Sequence, residues 1–117
     1  MSTLRDAEIA VLYAAIVSPT ARAEAKRHIT GRDFEDPRHE AIWDAMIRLE
    51  HHGKDVGWIT VNHILAGNEG ALRVVPEVVA SPSIPDQVGN YADIVRDKAM
   101  LRRIRSERDR LSSLVDR

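Results

Sequence analysis

Residues 86–117 read DQVGNYADIVRDKAMLRRIRSERDRLSSLVDR, and this stretch decides the fold class. Apart from Gly89 it contains no helix-breaking residue, and its apolar residues recur at helical spacing. Those apolar residues are Val88, Tyr91, Ile94, Val95, Leu101, Ile104, Leu111, Leu114 and Val115. The pattern predicts one C-terminal helix of about 30 residues, roughly 45 Å long. Because a small domain cannot cover so long a stripe, we expect the half beyond about Ile104 to protrude and to meet a partner.

Shorter helical patterns precede this helix, and they predict a small head of about five short helices over residues 1–84. The irregular segment 81–85, with prolines at 82 and 85, separates the head from the long helix at 85–117. We expect a buried first helix over 4–17 and a second that Thr20 caps, that runs to about His28 and that Gly31 stops. A third helix should run from Asp36-Pro37 to His52 and end before Gly53. A short fourth helix should lie between Thr60 and Gly67, and a fifth over 72–80 should be kinked or delayed by Pro76. The predicted fold class is therefore all-α.

Composition limits the class of protein. The chain has 117 residues, 44% of them apolar and 4% aromatic, and no cysteine, which fits one domain with an aliphatic core and excludes disulfide scaffolds and thiolate metal sites. The longest apolar run, Ile9–Val17, has nine residues, whereas a membrane-spanning helix needs about 20. The N-terminus lacks the form of a secretion signal. We therefore expect a cytoplasmic protein with no membrane partner.

Motifs that carry catalysis are missing from the sequence. The only Gly-Lys pair, at 53–54, is followed by Asp55 and has no preceding P-loop glycine, which excludes a Walker-type ATPase. His39-Glu40 is followed by Trp43 where a zinc protease has its second histidine. The carboxylates at 33, 35 and 36 lie at a helix start, where the helix dipole favours negative charge. We expect no catalytic residue, no metal and no cofactor.

The charge of the last helix leaves two interpretations open. The whole chain has a net charge of −1, but residues 96–117 carry eight basic and four acidic side chains. Arg102, Arg103 and Arg108 are possible phosphate contacts, although their spacing from Glu107 and Asp109 favours a solvated face with intrahelical ion pairs. The apolar stripe on the same helix favours docking of another helix.

Three blocks of sequence fall in an order typical of one protein family. They are Ala7-Glu8-Ile9-Ala10-Val11-Leu12, Asp33-Phe34-Glu35-Asp36-Pro37-Arg38-His39-Glu40-Ala41-Ile42, and Asn90-Tyr91-Ala92-Asp93-Ile94-Val95-Arg96-Asp97-Lys98-Ala99-Met100-Leu101-Arg102-Arg103-Ile104. Together with the Ser81-Pro82-Ser83 joint, they make residues 5–104 resemble the N-terminal domain of the bacterial replicative DNA helicase (DnaB-like) family. The resemblance implies a helical head followed by an antiparallel helical hairpin, with hairpins pairing to build a ring.

The resemblance also implies partners. The N-terminal tier of this family docks primase and sometimes a helicase loader. Its ATP-driven motor is a separate domain, which we expect to be absent from this sequence. The sequence ends at Arg117, within the first hairpin arm, so we expect the second arm to be absent. Leu101, Ile104, Leu111 and Leu114 are the expected anchors, and the resemblance assigns Ile104, Arg105 and Leu111 to the primase-docking face.

The resulting hypothesis is a non-catalytic interaction and oligomerisation module in DNA replication and primosome assembly. It would associate with itself, with the C-terminal domain of primase or with a loader, and any DNA binding would be weak or indirect. The alternative is a nucleic-acid-binding module that uses the basic C-terminal helix.

Overall fold

The all-α class predicted from the sequence is confirmed by the structure, a computed structural model that describes residues 3–115. Over this range the chain forms six α-helices and two single 3-10 turns, at Gly31–Asp33 and Pro85–Gln87, and it contains no strand. The helices are α1 (Thr3–Val17), α2 (Pro19–His28), α3 (Pro37–His51), α4 (Trp58–Ile64), α5 (Glu69–Val79) and α6 (Val88–Val115).

Helix α1 forms the centre of the head. It is apolar around most of its circumference, as the sequence predicted, and such a helix is stable only when it is buried. Nine of its residues are buried, including Val11 and Leu12, and it packs against α2, α3, α5 and α6. The core therefore surrounds α1 and fixes where α6 leaves the head.

Two helices begin at positions other than those expected. The cap of α2 is Ser18 rather than Thr20: the Ser18 hydroxyl accepts a hydrogen bond from the Ala21 amide at 3.1 Å, and Pro19 occupies the first helical position. Gly31 does not end α2, which stops at His28, but begins a 3-10 turn. Thr60 lies inside α4, where its side chain accepts a hydrogen bond from the Gly57 amide.

Helix α5 begins earlier than predicted and contains Pro76. Asn68 caps it by accepting a hydrogen bond from the Ala71 amide at 3.1 Å, so the helix starts at Glu69 rather than at 72. A proline inside a helix costs roughly 3 kcal/mol. Because Val74, Val75 and Val78 are buried, packing of this face against the core offsets that cost.

The third helix and the long last helix agree with the predictions. Asp36 caps α3, and Gly53, with φ of 69°, follows its end in the left-handed conformation that glycine favours. Helix α6 has 28 residues. Its first half packs on α1 and α2 through Val88, Ala92, Val95 and Ala99, whereas every residue after Arg103 is exposed as far as Val115. The expected protrusion is present.

Candidate interaction surface

The exposed end of α6 carries an ordered row of apolar side chains. We call residues Met100–Val115 the distal arm. Met100, Ile104, Leu111 and Leu114 are each at least half exposed, and Glu107 lies between them. Their spacings of four, three, four and three residues follow the heptad repeat with which one helix packs against another. We call these five residues the seam.

The seam is rotated by about 100° from the side of α6 that packs on the head. The residues that bury α6 against the head, such as Val95 and Ala99, lie on a different side of the helix, since Met100 is rotated about 100° from Ala99. The seam therefore cannot fold back onto the core that covers the first half of α6. Its apolar surface remains open to a partner from the side.

The five predicted interaction residues are all exposed, but they do not share one face. Ile104, Leu111 and Leu114 belong to the seam, Leu101 lies at its edge, and Arg105 lies on the outer side of the arm. Sequence reasoning missed Met100, although it precedes Ile104 by one helical turn and the spacing alone would have found it.

Hydrogen bonds from Arg102 and Arg103 to Asp33 fix the base of the distal arm on the head, and we call these three residues the latch. The Arg103 guanidinium donates to the Asp33 carboxylate at 2.7 Å, and Arg102 donates to the Asp33 main-chain carbonyl at 2.9 Å. The other carboxylate oxygen of Asp33 accepts a hydrogen bond from the Thr30 amide at 2.9 Å. Arg102 also lies 3.8 Å from Glu35. The 3-10 turn at Gly31–Asp33 thereby fixes the direction in which the arm leaves the head.

The arginines predicted as possible phosphate contacts already have partners in the structure. Two of them, Arg102 and Arg103, are held by Asp33. The third, Arg108, lies 3.7 Å from its neighbour Asp109, and both side chains are exposed. Arg105 has no ion pair with another residue in the part of the chain that the structure describes. Phosphate binding through Arg102 and Arg103 would require a ligand to compete with the latch.

A histidine cluster joins α2 to the first half of α6. The His28 Nδ1 lies 2.8 Å from the Asp93 carboxylate and its Nε2 lies 3.0 Å from that of Glu24. These hydrogen bonds, to Glu24 first and to Asp93, raise the pKa of His28 above 6.5. Arg27 and Arg96 flank the cluster. The ring nitrogens point in opposite directions, so the two carboxylates and the ring cannot converge on a metal ion.

A buried pair anchors the loop before α3. Glu8 and His39 are each 1% exposed, and the Glu8 carboxylate lies 2.7 Å from His39 Nδ1. The same carboxylate accepts a hydrogen bond from the Glu35 amide at 2.7 Å. The pair holds this loop on α1, and the loop in turn presents Asp33 to the arm. Over residues 3–115 no three histidine or carboxylate side chains come close enough to hold a metal.

Comparison with known proteins identifies the family. The sequence model of one protein family, the DnaB-like helicase N-terminal domain, matches residues 2–97 of this chain. The chain belongs to this family. The match ends just before the distal arm, which begins at Met100.

Individual DnaB proteins are similar over most of this chain. The replicative DNA helicase DnaB of Leifsonia xyli subsp. xyli (strain CTCB07) is 33% identical over 106 residues, which cover 84% of this chain and 22% of that protein. The replicative DNA helicase DnaB of Geobacillus stearothermophilus is 33% identical over 104 residues, which cover 85% and 23%. The chain thus spans less than a quarter of the length of these relatives.

The fold is also that of a solved DnaB domain. The crystal structure of the N-terminal domain of DnaB helicase from Mycobacterium tuberculosis matches with a TM-score of 0.83 and 27% identity, covering 92% of this chain and 82% of that one. In the described residues of this DnaB-like domain no helix has the length and apolar content needed to cross a membrane.

Proposed function

We propose that this DnaB-like domain is a non-catalytic interaction module that acts in DNA replication, in the cytoplasm, by docking other proteins on the distal arm. The observation that carries the proposal is the seam, whose four apolar side chains are each at least half exposed. Family membership supports the setting, because the relatives it matches are replicative helicases.

Burial of the seam supplies the driving force for docking. Each large aliphatic side chain that moves from water into an interface contributes roughly 1.5 to 3 kcal/mol, and central apolar anchors dominate such interfaces. Leu111 and Leu114 lie far from the core, so their substitution leaves the head intact. The C-terminal domain of primase, a helicase loader and a second copy of the chain are the candidate partners that the family resemblance implies.

The test replaces an anchor by a charged residue and measures association. Leu111→Asp should weaken binding of the primase C-terminal domain by about tenfold or more in a calorimetric titration, because a carboxylate is costly to bury in an apolar contact. It should also lower the mass of any self-association seen by light scattering. Ser112→Asp is the matched control, since it adds the same charge to the neighbouring exposed position. Equal binding by both variants would mean that the seam does not mediate docking.

The alternative, a nucleic-acid interface, is less well supported because Arg102 and Arg103 already donate hydrogen bonds to Asp33. A fluorescence titration with single- and double-stranded DNA tests it. Binding that falls steeply with salt concentration would favour phosphate contacts, and no binding at low salt would exclude them.

A further inference from the structure

The last residue of α2, His28, uses both of its ring nitrogens to bridge two helices. Its Nδ1 lies 2.8 Å from the Asp93 carboxylate on α6, and its Nε2 lies 3.0 Å from the Glu24 carboxylate one turn back on α2. An ionised carboxylate only accepts hydrogen bonds, and a neutral imidazole has a single N–H. Only the protonated ring can therefore donate to both carboxylates at once.

The surroundings of His28 favour the protonated ring. Hydrogen bonds to Glu24 and then to Asp93 raise the pKa of His28 above its ordinary value of 6.5. The ring also lies at the C-terminus of α2, where the helix dipole stabilises positive charge. A Cβ atom added to Gly89 of α6 would lie 3.7 Å from His28 Nε2. The end of α2 therefore lies directly against the first turn of α6.

Each carboxylate also has a basic neighbour on its own helix. Arg27 lies 3.4 Å from Glu24 on α2, and Arg96 lies 3.2 Å from Asp93 on α6. Arg96 in turn lies 3.7 Å from Asp97. Helix α1, which packs on both helices, adds no charged side chain to this cluster within the described residues. When the ring is neutral, the two arginines are the remaining cations for these carboxylates, and both arginine pairs lie within a single helix.

We propose that His28 is a proton-controlled clasp between α2 and α6, closed when its ring is protonated and loosened when the ring is neutral. In the closed state the charged ring donates to Glu24 and Asp93 and ties the last turn of α2 to α6. In the neutral state one carboxylate loses its donor, and the other keeps a weaker hydrogen bond from an uncharged N–H. The clasp therefore loosens as pH rises through the folded-state pKa of His28. The apolar core still holds the first half of α6, so the head stays folded.

Hydrogen exchange of the Ile29 amide measures the clasp, because this amide donates to the Ala25 carbonyl at 3.0 Å across the last turn of α2. An NMR titration of the whole chain first locates the pKa of His28. Exchange is then corrected for the intrinsic rate at each pH. The opening constant of Ile29 should be about threefold larger at about one pH unit above that pKa than at about one unit below, as expected when a partly exposed pair loses its charge. His28→Gln should show the larger constant at both pH values, since glutamine carries no charge.

His63→Gln is the matched control. His63 is exposed on α4, and its ring has no hydrogen bond or ion pair among the residues that the structure describes. This variant should keep the pH dependence of the wild type. Asp93→Asn leaves His28 in place but removes the charged acceptor on α6, so it should flatten the pH dependence as His28→Gln does.

Three results would each refute the clasp. They are an Ile29 opening constant that does not change with pH in the wild type, a pH dependence that survives in His28→Gln or Asp93→Asn, and a pH dependence that disappears in His63→Gln. The measurements involve no docking partner, so their outcome is independent of the proposed function.

Discussion

Replacing Asp33 by alanine should release the distal arm from the head and lower the stability of the domain. The Asp33 side chain is 8% exposed and accepts hydrogen bonds from the Thr30 amide at 2.9 Å and from Arg103 at 2.7 Å. A hydrogen bond from a main-chain amide to a charged group contributes about 1.5 kcal/mol. The Arg103 side chain is 56% exposed, so its pair is discounted for solvent screening to about 0.5 kcal/mol.

The two contributions predict a loss of about 2 kcal/mol in the free energy of unfolding of Asp33→Ala, or about 8 °C in Tm for a domain of this size. Urea denaturation measures the first and calorimetry the second. Hydrogen exchange should also become faster in the first turns of the distal arm, because the turn that holds Arg102 and Arg103 is no longer fixed. Arg103→Ala should cost about 0.5 kcal/mol, since it removes only the exposed pair.

Glu35→Ala is the matched control for this prediction. It removes a carboxylate from the same turn, but that carboxylate is 60% exposed and lies 3.8 Å from Arg102. Its effect should stay below about 0.5 kcal/mol. If Asp33→Ala destabilises the domain no more than Glu35→Ala, or if exchange in the arm is unchanged, then Asp33 does not act as a latch.

Three further predictions concern the head. Glu8→Ala should lower the free energy of unfolding by about 3 kcal/mol in urea denaturation, because it leaves two donors, the His39 ring and the Glu35 amide, without an acceptor at about 1 to 3 kcal/mol each; a loss below about 1 kcal/mol would contradict this role. The raised pKa of His28 means that its stabilising contribution is complete below pH 6.5 and is lost as pH rises through the folded-state pKa, and NMR titration should show that Asp93→Asn lowers this pKa. Ser18→Ala should cost about 1 kcal/mol in thermal unfolding, whereas Thr20→Ala, at the position first expected to cap, should cost less.

Features specified by neighbouring residues could be predicted from the sequence. The start of α3 follows from Asp36-Pro37, and the length of α6 follows from an uninterrupted helical pattern. The cap of α2 was misassigned because Ser18 and Thr20 are both good capping residues, and Pro19 fits only the earlier start. The early start of α5 was not predicted because Gly67, Asn68 and Gly70 are typical of a loop, whereas Asn68 caps the helix.

Contacts between distant residues could not be predicted. Asp33 and Arg103 are 70 residues apart, and His28 and Asp93 are 65 apart, so no local pattern links them. The exposed apolar residues of the last helix were predicted, because their number exceeds what a small head can cover. Whether those residues lie on or off the core-facing side of the helix depends on which side of α6 packs on α1 and α2, and only the fold determines that side.

The latch and the seam are physically connected. An isolated helix as short as the distal arm is only marginally stable in water, because nucleation is costly and few residues share that cost. Here the nucleus is supplied by the first half of α6, which the core holds, and the latch at Arg102 and Arg103 extends this support to the first turn of the arm. A partner therefore meets a seam that is already helical, and less conformational entropy is lost on docking. It follows that Asp33→Ala should weaken partner binding although Asp33 lies outside the seam, whereas Glu35→Ala should not.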